Sequence, residues 1–367
     1  MRKNDDKGTV VLYVPFMKFN MLHHLRDQGG TAEGFVKNSK DTIMIVGSSD
    51  TVLDRNKFTL LETGVTNYKS LASNIKEFLR VAQIINGKNP ELFLIWNVGL
   101  IPILIGFYTF LLYKLTHVTC KRVLRLDWDG TSNSRSKLLE ILHNITLRVS
   151  YYLYNFVTTE TSCGKSTIQK KFGLGDKLKI VPVGISTEIA NVSAGINKER
   201  IILNVARVSK YKNIEGCIEV FSSVSSEFKE WKFYHIGMIE DQKYYEWLKT
   251  LISERNLQNR FIFLGEIQYE ELDSWYKKSA VFITLSRVES FNLARYEAMA
   301  HRLPIISSEA GCPNDFPGII VCKDIEASKK ELVATIRQAE INGMIYEVKY
   351  QTVKSWKEIA QLFLGLR

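Results

Sequence analysis

The stretch Ala280–Pro304 constrains the fold more than any other. It opens with an apolar run, Ala280–Leu285. A polar turn follows, SRVES, and then a run of helix formers, Ala294–Ala300. That order reads as a buried strand, a tight turn and a helix, one βα unit. In an open α/β sheet, ligands bind outside the carboxyl ends of such strands. The start of the following helix offers amide N–H groups that suit a phosphate.

The same alternation runs along the whole chain. In the first half Val10–Val14, Thr42–Val46, Leu92–Trp96, Val123–Asp127, Phe156–Thr159 and Leu178–Pro182 read as strands, with helices such as Ser70–Ile85 and Ser136–Tyr154 between them. After the polar stretch Asn191–Arg200 the pattern restarts with Ile201–Val205, Lys232–Ile236, Phe261–Phe263, Val281–Leu285, Leu303–Ser307 and Gly318–Val321 as strands. Strands alternating with helices give parallel, doubly wound sheets. A chain of 367 residues is too long for one ordinary core, so two domains are expected. The boundaries expected are 1–190, 191–351 and a C-terminal helix within 352–367 that is apolar at Val353, Trp356, Ile359, Ala360, Leu362 and Phe363.

Hydrophobic content of 45% with 24% charged residues is globular. The net charge of +10 is uneven: residues 1–195 hold 25 Lys/Arg against 16 Asp/Glu, and the rest hold 24 against 23. A basic first half points to an anionic partner, either a phosphate-bearing substrate or a membrane face. Nucleic acid is disfavoured, since no aromatic-interleaved basic patch accompanies the excess. The five cysteines are scattered without CxxC spacing, which fits a reducing compartment. The N-terminus has no apolar core ahead of a small-residue cleavage site, so no signal peptide is expected. Leu92–Tyr113 holds 22 residues without a charge, long enough for a transmembrane helix. It also reads as a buried strand followed by a helix, alone or with its outer face (Phe107, Tyr108, Phe110, Leu111) in a bilayer surface. Lys114, Lys121, Arg122 and Arg125 follow it, as an interfacial helix near anionic lipid requires.

Two carboxylates, Glu289 and Glu297, stand eight residues apart in the βα unit. Eight helical residues rise about 12 Å, roughly the span between the two ends of a nucleotide-sugar. One Glu can hold ribose hydroxyls while the other sits by the sugar. Arg207 and Lys212 follow the strand Ile201–Val205, and together make a pyrophosphate clamp. Gly29 and Gly30, between the first strand and a helix, allow close approach of a phosphate or make an ordinary turn. Asp127 and Asp129, at a strand end of the first half, can orient or deprotonate an acceptor hydroxyl, or serve as turn and cap residues. No His/Cys metal spacing is present apart from His23–His24, and CGKST (Cys163–Thr167) lacks the upstream glycine of a phosphate loop.

The chain resembles the retaining glycosyltransferases of family 4. The resemblance rests on ARVSKYK, ESFNLARYEAMAHRLPIISSEAG and KLKIVPVGIS, covers nearly the whole chain and is strongest over Ile201–Pro313. It implies the GT-B fold: an N-terminal acceptor-binding domain, a C-terminal nucleotide-sugar-binding domain, and a final helix crossing back to the first. It implies Glu289 beside the donor sugar and Glu297 on the ribose. Arg207, Lys212 and the segment Ser290, Phe291, Asn292 and Leu293 would lie at the pyrophosphate. It further implies transfer with retention from a UDP- or GDP-sugar to an acceptor hydroxyl, without cofactor or metal. The basic first half and the Leu92–Tyr113 run point to a lipid-linked or surface glycan as that acceptor; the alternatives are a soluble transferase with a small acceptor and a non-catalytic sugar-nucleotide-binding subunit. The enzyme would then be cytoplasmic, peripheral on the inner face of the membrane. The chain departs from the family pattern at Asn292 and Arg302, where glycine is common, at Val183, where asparagine is usual, and at Asp127, where histidine is frequent.

Overall fold

The computed structural model describes residues 8–19, 27–49, 58–66, 70–97, 99–127, 137–186, 198–344, 348, 350 and 353–367. The chain forms two compact units, Met1–Ser186 with Lys354–Arg367, and Thr187–Val353.

The first unit is built on seven parallel strands: β1 (Thr9–Tyr13), β3 (Asp41–Val46), β5 (Thr59–Glu62), β6 (Leu92–Trp96), β7 (Lys121–Arg125), β8 (Phe156–Thr159) and β9 (Leu178–Ile180). They lie in the order β5-β3-β1-β6-β7-β8-β9. Two short strands, β2 (Lys18–Phe19) and β4 (Ser48–Ser49), pair separately. Side chains alternate between the two faces of a strand. Val11, Tyr13, Ile43, Ile45, Phe93 and Ile95 accordingly enter one core, and Val10, Leu12, Met44, Val46, Leu92 and Leu94 the other. The helices are α1 (Asp27–Lys37), α2 (Leu71–Ile85), α3 (Leu100–Leu115), α4 (Lys137–Leu153) and α5 (Ser162–Phe172).

The second unit has six parallel strands: β10 (Ile201–Val205), β11 (Lys232–Ile236), β12 (Phe261–Gly265), β13 (Val281–Thr284), β14 (Ile305–Ser307) and β15 (Ile320–Val321). Their order is β12-β11-β10-β13-β14-β15. Its helices are α6 (Ile214–Ser225), α7 (Gln242–Glu254), α8 (Tyr269–Lys278), α9 (Leu293–Ala300) and α10 (Ile325–Ile341). Counted along the chain, this is the 3-2-1-4-5-6 order of doubly wound nucleotide-binding folds. The long strands of the first unit repeat it with one strand added.

The last helix, α11 (Trp356–Leu364), belongs to the first unit and packs on α1. A capping box between Ser355 and Glu358 starts it. A Cβ at Gly30 would lie 2.2 Å from the Trp356 indole, and one at Gly34 2.2 Å from the Trp356 carbonyl oxygen. Gly29 and Gly30 therefore lie inside the first turn of α1, not in a loop ahead of it, and Gly30 makes room for Trp356.

Leu92–Tyr113 resolves into β6 and most of α3, and among the described residues no helix is long and apolar enough to cross a membrane. Both faces of β6 are buried. α2, α3 and α4 pack side by side and leave apolar stripes outside. Leu71, Ile75 and Leu79 mark the first, Phe107, Leu111 and Leu115 the second, and Ile141, Ile145 and Val149 the third, each at four-residue spacing. Tyr108, expected on that outer face, instead turns inward edge-on to Phe78. The strand expected to run to Asp127 ends at Arg125. Cys120, Cys217 and Cys322 are free thiols, but Cys163 and Cys312 are not, which departs from the fully reduced set that the spacing implied.

Candidate functional site

β10 and β13 are neighbours in the sheet of the second unit, although β11 and β12 intervene in sequence. This is where the strand order reverses, the place at which open α/β sheets hold ligands. The loop after β10 carries Arg207 and Lys212, and the loop after β13 carries Glu289 to Asn292. Lys212 Nζ lies 2.7 Å from Glu289 Oε1, with both side chains mostly buried. Asn292 Nδ2 donates to the same carboxylate oxygen at 3.2 Å and to Thr284 Oγ1 at 3.0 Å.

Asn292 also starts α9, its Oδ1 accepting from the Arg295 amide at 3.0 Å. Its backbone is left-handed, with φ 71°, a region open to glycine and tolerated by asparagine. This accounts for asparagine at a position where the resembling family often has glycine. The first amides of a helix have no intrahelical partner, so those of Leu293 and Ala294 stand beside Glu289 ready for an anion. Ser290 is half-buried. Phe291 is buried edge-on to Tyr296 and Phe316, as wall and not as ligand.

Two residues lie differently from expectation, Arg207 and Glu297. Arg207 is 57% exposed and pairs with Glu240 at 2.6 Å, so it does not converge with Lys212 on one point. Glu297 is 1% exposed. Its two oxygens accept from Tyr276 Oη at 2.8 Å and Tyr269 Oη at 3.1 Å. CGKST is helical, in α5, and forms no phosphate-binding loop.

Nothing in the sequence marks Arg295 as a site residue. It is buried, and its fork donates to Ser307 Oγ at 3.1 Å, to the Ala310 and Phe291 carbonyls at 2.8 Å each, and to the Gly311 carbonyl. Burial lowers its pKa to about 10, opposed by Glu289 and Asp315. Gly311 has φ +68°, and a Cβ there would lie 2.8 Å from the Glu289 Cβ. Arg295 thus ties the 307–311 loop down against the residue that carries Glu289.

The first unit has its own cluster at the carboxyl ends of its strands. Arg125, the last residue of β7, is fully buried. Its Nη2 lies 3.4 Å from both Asp27 and Glu160, and its Nε 4.0 Å from Asp127. Nη1 donates to the Val181 carbonyl at 2.9 Å. Burial, then repulsion from Asp27 and Glu160, holds the Asp127 carboxyl well above the usual carboxylate range, with Arg125 opposing. Carboxylate oxygens of Asp27, Asp127 and Glu160 lie within 4.8 Å of one another, a set that could hold a cation, but the guanidinium already occupies the space among them. Asp129, His23 and His24 lie outside the described residues.

Residues 186–357 match the family model described as Glycosyl transferases group 1. This part of the chain is similar in sequence to the group 1 glycosyl transferases. A lipopolysaccharide core biosynthesis mannosyltransferase, LpcC, of Rhizobium leguminosarum is 26% identical over 121 residues, 32% of this chain and 34% of that protein. An alpha-monoglucosyldiacylglycerol synthase of Streptococcus pneumoniae is 30% identical over 109 residues, 30% of this chain and 24% of that one. The chain therefore spans about a third or less of these curated relatives. Sucrose-phosphate synthase from Thermosynechococcus elongatus superposes with a TM-score of 0.68 at 15% identity, covering 98% of this chain and 100% of its own. The fold is GT-B, with group 1 sequence signatures over the second unit and a full-length structural match.

Proposed function

We propose that the chain is a retaining glycosyltransferase that moves a sugar from a UDP- or GDP-sugar to a hydroxyl of a lipid-linked or cell-surface glycan. The observation that carries this reading is the Lys212–Glu289–Asn292 constellation at the switch point, beside the free amides of α9. The donor diphosphate lies against the Leu293 and Ala294 amides. Lys212 exchanges the Glu289 carboxylate for a phosphate oxygen, and Arg207 leaves Glu240 to do the same. Glu289, freed on one side, faces the developing positive charge at the anomeric carbon. The bond from that carbon to the diphosphate oxygen breaks as the bond to the acceptor oxygen forms on the same face. The departing phosphate oxygen takes the acceptor proton. Glu297 holds the ribose. Two cations neutralise the leaving group, so the reaction requires no divalent metal.

Asp127, with Asp129, orients the acceptor hydroxyl. Burial, then repulsion from Asp27 and Glu160, raises the Asp127 carboxyl pKa. The acceptor comes from a membrane. The apolar stripes of α2, α3 and α4 are flanked by Lys76, Arg80, Lys114 and Arg148, and the Phe110 ring lies 5.1 Å from the Arg122 guanidinium carbon. An exposed apolar face with a cationic border suits the inner leaflet, where anionic lipids are concentrated. The named relatives act in lipopolysaccharide and glycolipid synthesis, which agrees with such an acceptor.

The test is a donor screen. UDP-, GDP- and ADP-sugars are incubated with the protein and membrane lipid extract, and released nucleotide is followed with and without EDTA. Release from one donor, unchanged by EDTA and lost in Glu289→Ala, is expected. Release that EDTA abolishes overturns the metal-independent step. No release from any donor in the presence of lipid extract overturns the transferase reading.

A further inference from the structure

The second unit has a cavity of about 550 Å³ that the transfer reaction does not use. It lies between the 3-10 turn Lys210–Lys212, the start of α6 and the first turns of α7. Its walls are aromatic. Tyr244 and Trp247 stack at 5.8 Å with 27° between their planes. Trp247 is 49% exposed and Tyr211 58%. Large rings left in water on a folded surface commonly mark a place where something binds.

The walls are also fixed in place. Tyr244 Oη accepts from the Ile214 amide at 3.0 Å and donates to Glu215. Arg287 joins Glu215 at 2.8 Å and the Lys210 carbonyl at 2.6 Å. The Arg287 amide donates to the Tyr211 carbonyl at 2.8 Å. Glu215, the one carboxylate lining the cavity, is thereby neutralised. Lys210 and Lys243 have no carboxylate partner among the described residues and stand at the rim as spare positive charge.

We propose that this cavity binds an anionic saccharide, a sugar ring carrying a phosphate or carboxylate. The apolar C–H face of a pyranose packs on an aromatic ring, and the exposed Tyr211 and Trp247 present such faces. The two rim ammoniums meet the anionic substituent. Glu215 and Arg287, already paired, hold the Tyr244 ring that backs the sugar. The cavity and the Lys212–Glu289 pair use opposite ends of one short turn, since Tyr211 lines the first and Lys212 makes the second. Binding at the cavity can be read without turnover, so the proposal stands or falls apart from the transferase reading.

The test is calorimetry on the full chain with trigalacturonate and glucose 6-phosphate, against maltotriose and inorganic phosphate as controls. Trp247→Ala and Lys243→Glu alter exposed side chains, and a melting curve checks each for folding. Saturable binding of both anionic sugars is expected, at least tenfold tighter than maltotriose or phosphate alone. Trp247→Ala and Lys243→Glu should each weaken it tenfold or more, while UDP binding is unchanged in both variants. Equal affinity for maltotriose removes the cations from the site, and equal affinity for inorganic phosphate removes the rings. No saturable binding, or self-association of the chain that Trp247→Ala abolishes, overturns the proposal in favour of an empty groove or a second copy of the chain.

Discussion

Asp127 sits with Asp27 and Glu160 around the Arg125 guanidinium, so the three carboxylates repel one another. Its folded pKa is raised, chiefly by burial. A carboxyl with a raised folded pKa contributes stability below its unfolded pKa and loses it as pH rises through the folded value. The loss runs at about 1.4 kcal/mol per pH unit while only the unfolded chain is ionised. Asp127→Asn should therefore melt with the wild type near pH 3.5 and progressively above it towards pH 8. Parallel melting curves at all pH values would show that the carboxyl is not strained. Among the site residues, Glu289, Lys212 and Asn292 were legible because each sits in or next to a strand–turn–helix written contiguously in the sequence. Arg295 and Arg125 were not. Both look like surface charges in their own segments, and their partners come from 291 and 307–311, and from 27, 160 and 181.

The elements carry the site's position, and two of them can be probed. On β11, His235 is fully buried, its Nδ1 2.7 Å from Asn204 Oδ1 on β10, and Asn204 Nδ2 donates to the Ile283 carbonyl of β13 at 2.7 Å. These bonds tie together the strands whose loops bear the site. Burial lowers the His235 pKa to about 3. A folded pKa below the unfolded one means stability that is present above about pH 6.5 and lost as pH falls towards the folded value, at about 1.4 kcal/mol per unit. In His235→Gln that part of the acid slope of urea-measured stability should vanish; an unchanged slope would assign the acid sensitivity to other groups. On α1, Gly34→Ala puts a methyl against the Trp356 backbone, where relief requires α11 to move. A loss of about 1–3 kcal/mol is expected, with faster hydrogen exchange in α11; wild-type exchange there would mean that the helices adjust without separating. Most strands, including β6, β10 and β11, were legible from apolar runs bounded by turn residues. Thr59–Glu62 is not legible because TLLE is short and does not alternate apolar and polar residues.

At the scale of the whole molecule, the uneven charge and the three outer stripes make a prediction about surfaces. The protein should float with vesicles containing anionic lipid at low salt and not with neutral ones. Salt near 0.5 M should weaken binding, because the Debye length falls to about 4 Å. Phe107→Glu with Leu111→Glu should remove it. Failure to float at low salt would leave the stripes to another partner. The sequence by itself determined the α/β class, the two units and the Glu289–Asn292 loop, because the period of apolar residues and the turn chemistry are local properties. Only the tertiary structure decided the strand order, which makes neighbours of β10 and β13, and with it the Lys212–Glu289 pair. It alone decided that Gly30 faces Trp356, that Glu297 is held by two tyrosines and that Tyr211 and Trp247 line one cavity. Each of these joins segments far apart in the chain, and such contacts are set by how helices and strands pack, which no local pattern encodes.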